Sequence, residues 1–267
     1  MKYQGSKRTL IKYIKPYFDP FMGMPYYVEP FVGGANAIYQ IDHPNKYGYD
    51  THPELIAMWQ AIQKGWQPPR NVSEELYEKA KCNHPDISDE LRGFIGFGCS
   101  FGAKWFGGYA RDKNENGNQL YATQTANLIQ KRIPQIANIE FDVASYVELD
   151  IIDSLVYCDP PYKQTTDYAQ FEGVPFNSNR FYEWCHTNKN HSAIFISEAT
   201  CPSNFRVIWQ TKRNTRQSSN NVANGQDRKT IKELLLVPSG GLTDIDYTQY
   251  FEDEVQETLK PVKEYML

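Results

Sequence analysis

Asp159-Pro160-Pro161-Tyr162 is the stretch whose residue types point most directly to chemistry. It follows the apolar run Leu155-Val156-Tyr157-Cys158, so it is expected to leave the end of a buried strand, where open α/β sheets place their ligands. Two consecutive prolines donate no backbone hydrogen bonds and hold φ near one value, which makes the loop stiff and rich in acceptors. A carboxylate, a prolyl carbonyl and an aromatic face together suit a planar amino group. Asp159 and the Pro160 carbonyl would accept its two N–H bonds while Tyr162 stacks on the ring that carries it. The exocyclic amine of a nucleobase meets that description. Taken alone, the four residues also fit a proline-stiffened turn with Asp159 as a cap and Tyr162 as a surface aromatic.

Several elements must position such a loop. Residues 6–17 read as a first helix, with Leu10, Ile11 and Ile14 as the apolar stripe and Pro16 bending or ending it. Before it, Tyr3-Gln4-Gly5-Ser6-Lys7 approaches a helix N-terminus, which suits an anion such as a carboxylate; a capped helix with a surface lysine is the other reading. Residues 26–28 form a short strand, followed by Glu29-Pro30-Phe31-Val32-Gly33-Gly34-Ala35-Asn36 and an apolar helical stretch through Ile41. Strand, glycine turn and helix let backbone approach a ligand, although the spacing is not that of a dinucleotide fingerprint. A second strand, residues 46–50, ends in Asp50, placed to accept hydrogen bonds from ribose hydroxyls or to cap the helix of residues 53–64.

A βαβ unit would then require a third strand soon after Lys64, but strand-plus-acid character returns only at Ile139-Glu140-Phe141-Asp142. The intervening residues 65–135 are expected to form an insert, with helices over residues 73–83, 87–97 and 123–132. Between them lies a hairpin over residues 104–121, turned at Asn116-Gly117 and bearing Lys104, Trp105, Tyr109, Arg111 and Lys113. It is furnished to enter a DNA groove, or equally to pack its aromatics on the insert helices. After Tyr162 comes a polar segment, residues 163–176, that could serve as a lid. A helix over residues 178–187 and a strand over 193–197 follow. Apolar runs at 205–211 and 231–237 then predict an antiparallel pair joined by a basic loop, with Arg213, Arg216, Arg228 and Lys229 suited to phosphates.

The 267 residues suit one large domain or one domain carrying a sizeable insertion, and the formal charge of −4 conceals an uneven distribution. Residues 1–18 carry five basic side chains and no acid, and between Arg206 and Lys232 seven basic residues face Asp227 alone. An acidic tail from Asp244 onward offsets both. Five cysteines without a C-x-x-C pair suggest neither a disulfide framework nor a zinc site, and His186 and His191 do not share a helical face. With no signal peptide and no apolar run of membrane length, a soluble cytoplasmic protein is expected.

In their order along the chain these stretches resemble the Dam-like, α-class DNA N6-adenine methyltransferases. Tyr3–Lys7 is similar to the family's aromatic-x-Gly-Gly-Lys, with Ser6 for one glycine; Glu29–Ala35 to E-P-F-x-G-G/A-G, with Ala35 for the third glycine; and Asp159–Tyr162 to D-P-P-Y. Asp50 and the late stretch Arg228-Lys229-Thr230-Ile231-Lys232-Glu233-Leu234-Leu235 complete the likeness. The resemblance implies an α/β fold, a doubly wound Rossmann-like sheet with an antiparallel strand pair and a helical and hairpin target-recognition insert. Residues 1–64 and 136–267 would form the catalytic domain and 65–135 the insert. It implies S-adenosylmethionine as methyl donor, double-stranded DNA as partner, base flipping, and the kind of activity used in restriction–modification, with no metal and no obligate protein partner.

By position, Tyr3, Lys7, Glu29, Pro30, Phe31, Gly33, Gly34, Ala35, Asp50, Asp142 and Asp159 would hold the donor. Lys7 would meet its carboxylate, Asp50 its ribose and Asp142 its adenine amine. Asp159, Pro160, Pro161 and Tyr162 would act on the target base. Lys104, Tyr109, Arg111, Arg213, Arg216, Asn220, Arg228 and Lys229 would contact DNA. Adenine N6 is a poor nucleophile because its lone pair is delocalised. Two hydrogen bonds to Asp159 and Pro160 would return that pair to nitrogen and aim it, and such positioning is worth up to about 7–11 kcal/mol. Stacking on Tyr162 would return about 1–3 kcal/mol toward the cost of unstacking the base, leaving the rest to the insert and the basic loop.

Overall fold

The computed structural model describes residues 1, 3, 5–113, 115, 117, 119–161, 176–214 and 230–251. The chain forms two compact units, one of Met1–Lys12 and Tyr26–Leu149, the other of Tyr13–Pro25 and Asp150–Leu267.

In the first unit, three parallel strands stand in the order β3-β2-β1: β1 is Tyr26–Glu29, β2 Lys46–Asp50 and β3 Ile139–Val143. Val28 lies opposite Tyr47, and Tyr49 opposite Asp142, so Asp50 and Asp142 leave neighbouring strand ends. Helix α2, Pro53–Gln63, begins with proline at its first position and an acid in its first turn, both favourable at a helix N-terminus. Its Leu55, Ile56, Met58, Trp59 and Ile62 are buried, because the strands cover one side and insert helices the other. Gln60 and Gln63 reach from it to the carbonyls of Phe141 and Ile139 at 2.7 and 2.6 Å, which ties β3 to α2.

The expected insert helices are present as α3 (Glu74–Lys81), α4 (Asp89–Gly98) and α5 (Leu120–Gln130), followed by a short α6 (Ile133–Ile136). Ser73 caps α3, its hydroxyl accepting from Leu76 N at 3.1 Å. Helix α4 packs on α2 so closely that a Cβ at Gly93 would overlap the Glu54 carbonyl.

The second unit has strands in the order β4-β5-β7-β6. Strand β4 is Ser154–Cys158, β5 Ala193–Glu198, β6 Phe205–Asn214 and β7 Thr230–Pro238. The pair β4/β5 is parallel, β7 is antiparallel to β5, and β6 and β7 form the antiparallel pair that the sequence predicts. Helix α7, Ser178–Asn188, makes the crossover from β4 to β5, capped by Asn177. Strands β4 and β5 are buried at every residue, the mark of parallel strands covered on both faces. Phe18 packs on Tyr157 and Phe195, at 5.6 and 4.8 Å between ring centroids.

Two local expectations need correction. The first helix is only α1, Ile11–Ile14, continued by a 3-10 turn over Lys15–Tyr17 where Pro16 withdraws a backbone donor. The stretch from Ala35 to Ile41 contains a 3-10 turn, Ile38–Gln40, rather than an α-helix. Left-handed Gly33 and Ala35 at one end and Pro44 at the other leave too little chain to nucleate one. In the stretch expected as a hairpin, residues 104–121, Lys113 pairs with Gln119 in an isolated antiparallel bridge, as Tyr109 does with Ser100, while Asn114, Asn118 and Asn116 of the expected Asn116-Gly117 turn lie outside the described residues.

Candidate active site

The first unit builds a bare turn between β1 and the following loop. Gly33 takes φ 47° and Ala35 φ 50°, and the Trp59 indole donates to the Gly33 carbonyl at 3.0 Å, fixing the turn from below. Side chains are excluded there: a Cβ would stand 2.7 Å from the Tyr3 ring at Gly33 and 2.6 Å from Tyr3 Cβ at Gly34. Tyr3 therefore lies along the turn, with its ring 5.1 Å from that of Phe97 on α4. Ala35 supports the turn through its N–H on Val32 O at 2.8 Å but holds a left-handed backbone that costs a residue with a side chain about 1–2 kcal/mol.

Asp50 locks this turn to β2. One of its oxygens accepts from Gly33 N at 3.0 Å and the other from His52 N at 3.1 Å. Burial raises its pKa, opposed by His52 and by these backbone donors. A carboxylate has about four lone-pair sites, so hydroxyl partners remain accommodated. On the neighbouring strand, Asp142 is exposed and accepts from Val143 N at 2.8 Å. Glu29 is buried and accepts from Tyr27 Oη at 2.7 Å, Pro30 is buried beside it, and half-buried Phe31 meets Tyr146 at 5.7 Å. Lys7 is 3 % exposed, with Nζ donating to Gly5 O at 3.0 Å, and its carbonyl receives Leu10 N and Ile11 N. The first turn of α1 thus starts on Lys7, and the buried ammonium stands beside that helix start.

In the second unit Asp159, Pro160 and Pro161 follow β4, with Pro160 buried and the other two half-buried. Tyr162, Arg216, Asn220, Arg228 and Lys229 lie outside the described residues, as do residues 163–175 and the side chain of Arg213. Glu198, which the sequence reading did not single out, ends β5 at 1 % exposure. It accepts from Tyr182 Oη at 3.2 Å and from Ala199 N at 2.6 Å. Burial raises its pKa and the charge of Asp159 adds to the effect. A strand ending in an acid was the available signal, shared with Asp50, Asp142 and Asp159.

In the insert, fully buried Tyr77 organises the loop after α4. Its hydroxyl meets Ser100 Oγ at 2.8 Å and receives Gly108 N, while Phe106 and Tyr109 pack on its ring. Tyr109 also donates to Val72 O at 2.7 Å, so its aromatic body is spent on the insert. Arg111 is exposed and pairs with Glu74, and Lys104 is half-buried beside Trp105. Trp105 turns inward against Gly96, where a Cβ would overlap it, with Arg92 over one face at 5.0 Å and His52 against it at 4.1 Å.

A family model for the D12 class N6 adenine-specific DNA methyltransferases matches residues 3–94 and 103–193. The chain belongs to that family. It is thus an adenine-specific DNA methyltransferase of the α/β, Rossmann-like kind, and its methyl donor is S-adenosylmethionine. Two curated relatives, both named DNA adenine methylase and both from Vibrio cholerae serotype O1, the classical Ogawa 395 and El Tor Inaba N16961 strains, are each 22 % identical over 268 residues. That span is 88 % of this chain and 94 % of theirs. A crystal structure of the candidate methyltransferase SMU.472 complexed with SAH aligns with a TM-score of 0.31 and 9 % identity, over 88 % of this chain and 53 % of that one. The residues of this methyltransferase fit the donor: beside the glycine turn lined by Tyr3, buried Asn36 keeps an amide nitrogen with no hydrogen-bond partner among the described residues. Among the described residues no cluster of His, Cys, Asp or Glu could hold a metal, and no helix is long and apolar enough to cross a membrane.

Proposed function

We propose that this methyltransferase modifies adenine N6 within one short duplex sequence, on a base turned out of the helix, with Asp159 and the Pro160 carbonyl accepting the N6 hydrogens. The family match supports this reading because it takes in the glycine turn, Asp50 and Asp159–Pro161 together. When bound, the donor would supply a sulfonium-activated methyl group; the amine would take it with its lone pair, sulfur would keep the bonding electrons, and the surplus N6 proton would leave toward Asp159 and solvent. Tyr3, Lys7, Glu29, Pro30, Phe31 and the Gly33–Ala35 turn hold the donor's amino-acid end, and Asp50 and Asp142 hold its nucleoside.

Asp159 and Pro160 do not merely bind the base. By accepting N6–H they localise the lone pair and fix its direction, so their effect falls on the chemical step. The stiffness of the two prolines keeps both acceptors aimed without reorganisation. Residues 65–135 read the target and residues 1–64 and 136–267 perform the transfer. Within the insert, Lys104 and Arg111 face the DNA, and Arg213, Arg216, Asn220, Arg228 and Lys229 add contacts from the late loop. The protein works in the cytoplasm on duplex DNA. Expression in a host without DNA methylases, followed by mapping of N6-methyladenine across the genome, tests this. Methylated adenines confined to one motif are expected; soluble enzyme that leaves the DNA unmodified would overturn the assignment.

A further inference from the structure

Asn36 follows the bare turn and is only 6 % exposed. Its Oδ1 accepts from Arg132 Nη1 at 2.7 Å, and Arg132, itself 5 % exposed, stacks over the Tyr39 ring at 4.6 Å. A guanidinium has donors and no acceptor, so the Asn36 amide is held in one orientation; flipped, it would set N–H against N–H. The amide nitrogen is thereby aimed away from Arg132, and among the described residues it finds no acceptor although it is buried. It lies against the turn itself, 2.7 Å from where a Cβ on Gly34 would stand, with Tyr3 Cβ 2.6 Å from the same point.

Arg132 makes no ion pair with any described residue, and Arg8 adds like charge to its surroundings. A buried guanidinium without a counter-ion and a buried amide donor without an acceptor are both costly, and both are relieved by the same thing, an anionic acceptor at the Gly34 turn. S-adenosylmethionine carries a sulfonium, an ammonium and one anionic group, its carboxylate.

We propose that Asn36 is a ligand for the carboxylate of the methyl donor, with Arg132, from the far end of the insert, as the residue that positions its amide. The proposal rests on S-adenosylmethionine being the donor. It adds to Lys7 a second contact with that carboxylate, a neutral one whose direction is set by a buried cation behind it.

The test is Asn36→Asp, which keeps the shape of the side chain. The new carboxylate pairs with Arg132, so thermal stability is expected to hold or rise. At the same time the two N–H donors are lost and a negative charge faces the ligand. By calorimetry, S-adenosylhomocysteine should bind about tenfold or more weakly, as expected for a lost hydrogen bond to a charged group. 5′-Methylthioadenosine, which lacks the amino-acid end, should bind as it does to the wild type. Asn36→Ala and Arg132→Met should show the same selective loss, without the added charge. Equal losses for both ligands, or undiminished binding of S-adenosylhomocysteine, would overturn the inference. Wild-type protein that binds neither ligand would instead overturn the donor assignment on which it rests.

Discussion

His52 makes stability depend on pH in a direction that can be worked out from its surroundings. It follows Asp50, is 7 % exposed, and has the rings of Trp105 and Phe97 against it at 4.1 and 5.1 Å. Burial pushes its pKa down to about 4; Arg92 pushes the same way and Asp50 opposes. Glu54 Oε2 stands 3.2 Å from Nδ1, a distance that would suit an ion pair, but the other Glu54 oxygen is already bound to Arg92, so that carboxylate's charge is largely answered. Burial therefore prevails and the folded imidazole is neutral at pH 7.

An unfolded histidine titrates near 6.5, roughly 2.5 units higher, so between those values the unfolded chain holds a proton that the folded one refuses. Stability is fully present above pH 6.5 and declines as pH falls toward 4, by about 3 kcal/mol in all. Asp50 and Glu198, whose pKa values are raised, act in the opposite sense as pH falls, so the wild-type curve alone does not isolate the histidine. The measurement is urea unfolding of wild type and His52→Gln at a series of pH values. The gap between them should be constant above pH 7 and shift by about 3 kcal/mol, to the disadvantage of the wild type, on going to pH 4. Parallel curves would refute the burial argument.

Gly96→Ala should force the Trp105 indole from its seat, at a cost of about 1–3 kcal/mol, and lower the thermal midpoint by several degrees; an unchanged midpoint would show that the loop yields freely. Asp159→Ala should abolish methyl transfer without loss of fold, and a folded, fully active variant would sink the mechanism. Arg111→Ala gives up only an exposed ion pair, so stability should move by less than about 1 kcal/mol. The salt dependence of DNA binding should nevertheless flatten by about one phosphate contact, and an unaltered slope would rule out a phosphate role.

The sequence made the strands and the acids at their ends legible because both signals are local. Leu155–Cys158 reads as a buried strand from its own composition, and Asp159–Pro161 follows it without reference to anything else. Helix α2 was equally plain, with Pro53 at its start and apolar residues on nearly every side. What stayed hidden depends on distant partners. Asn36 and Arg132 stand 96 residues apart, and no periodicity joins them. Tyr109 could as well face DNA as pack, and the contacts it makes within the insert, with Tyr77 and the Val72 carbonyl, come from other elements. The stripe of Leu10, Ile11 and Ile14 is real and points to a longer helix than α1, because a local stripe does not register how Pro16 limits what it can wind.

The packing of the insert also bears on how the donor site keeps its shape. Arg92 of α4 donates to the Ala80 carbonyl at 2.9 Å and binds Glu54 of α2, so it clamps α3, α4 and α2 together. Gly93 lets α4 settle on the α2 backbone, and Gly96 lets Trp105 settle on His52. His52 in turn donates its N–H to Asp50, the carboxylate that also receives Gly33 N. Close-packed contacts of this kind transmit displacement instead of absorbing it. The compact unit that holds the glycine turn accordingly runs through the whole insert to Leu149 rather than ending near Lys64. Residues 65–135 read as an interruption in the order of strands, yet in three dimensions they supply one wall of the seat in which Asp50 and the glycine turn are held.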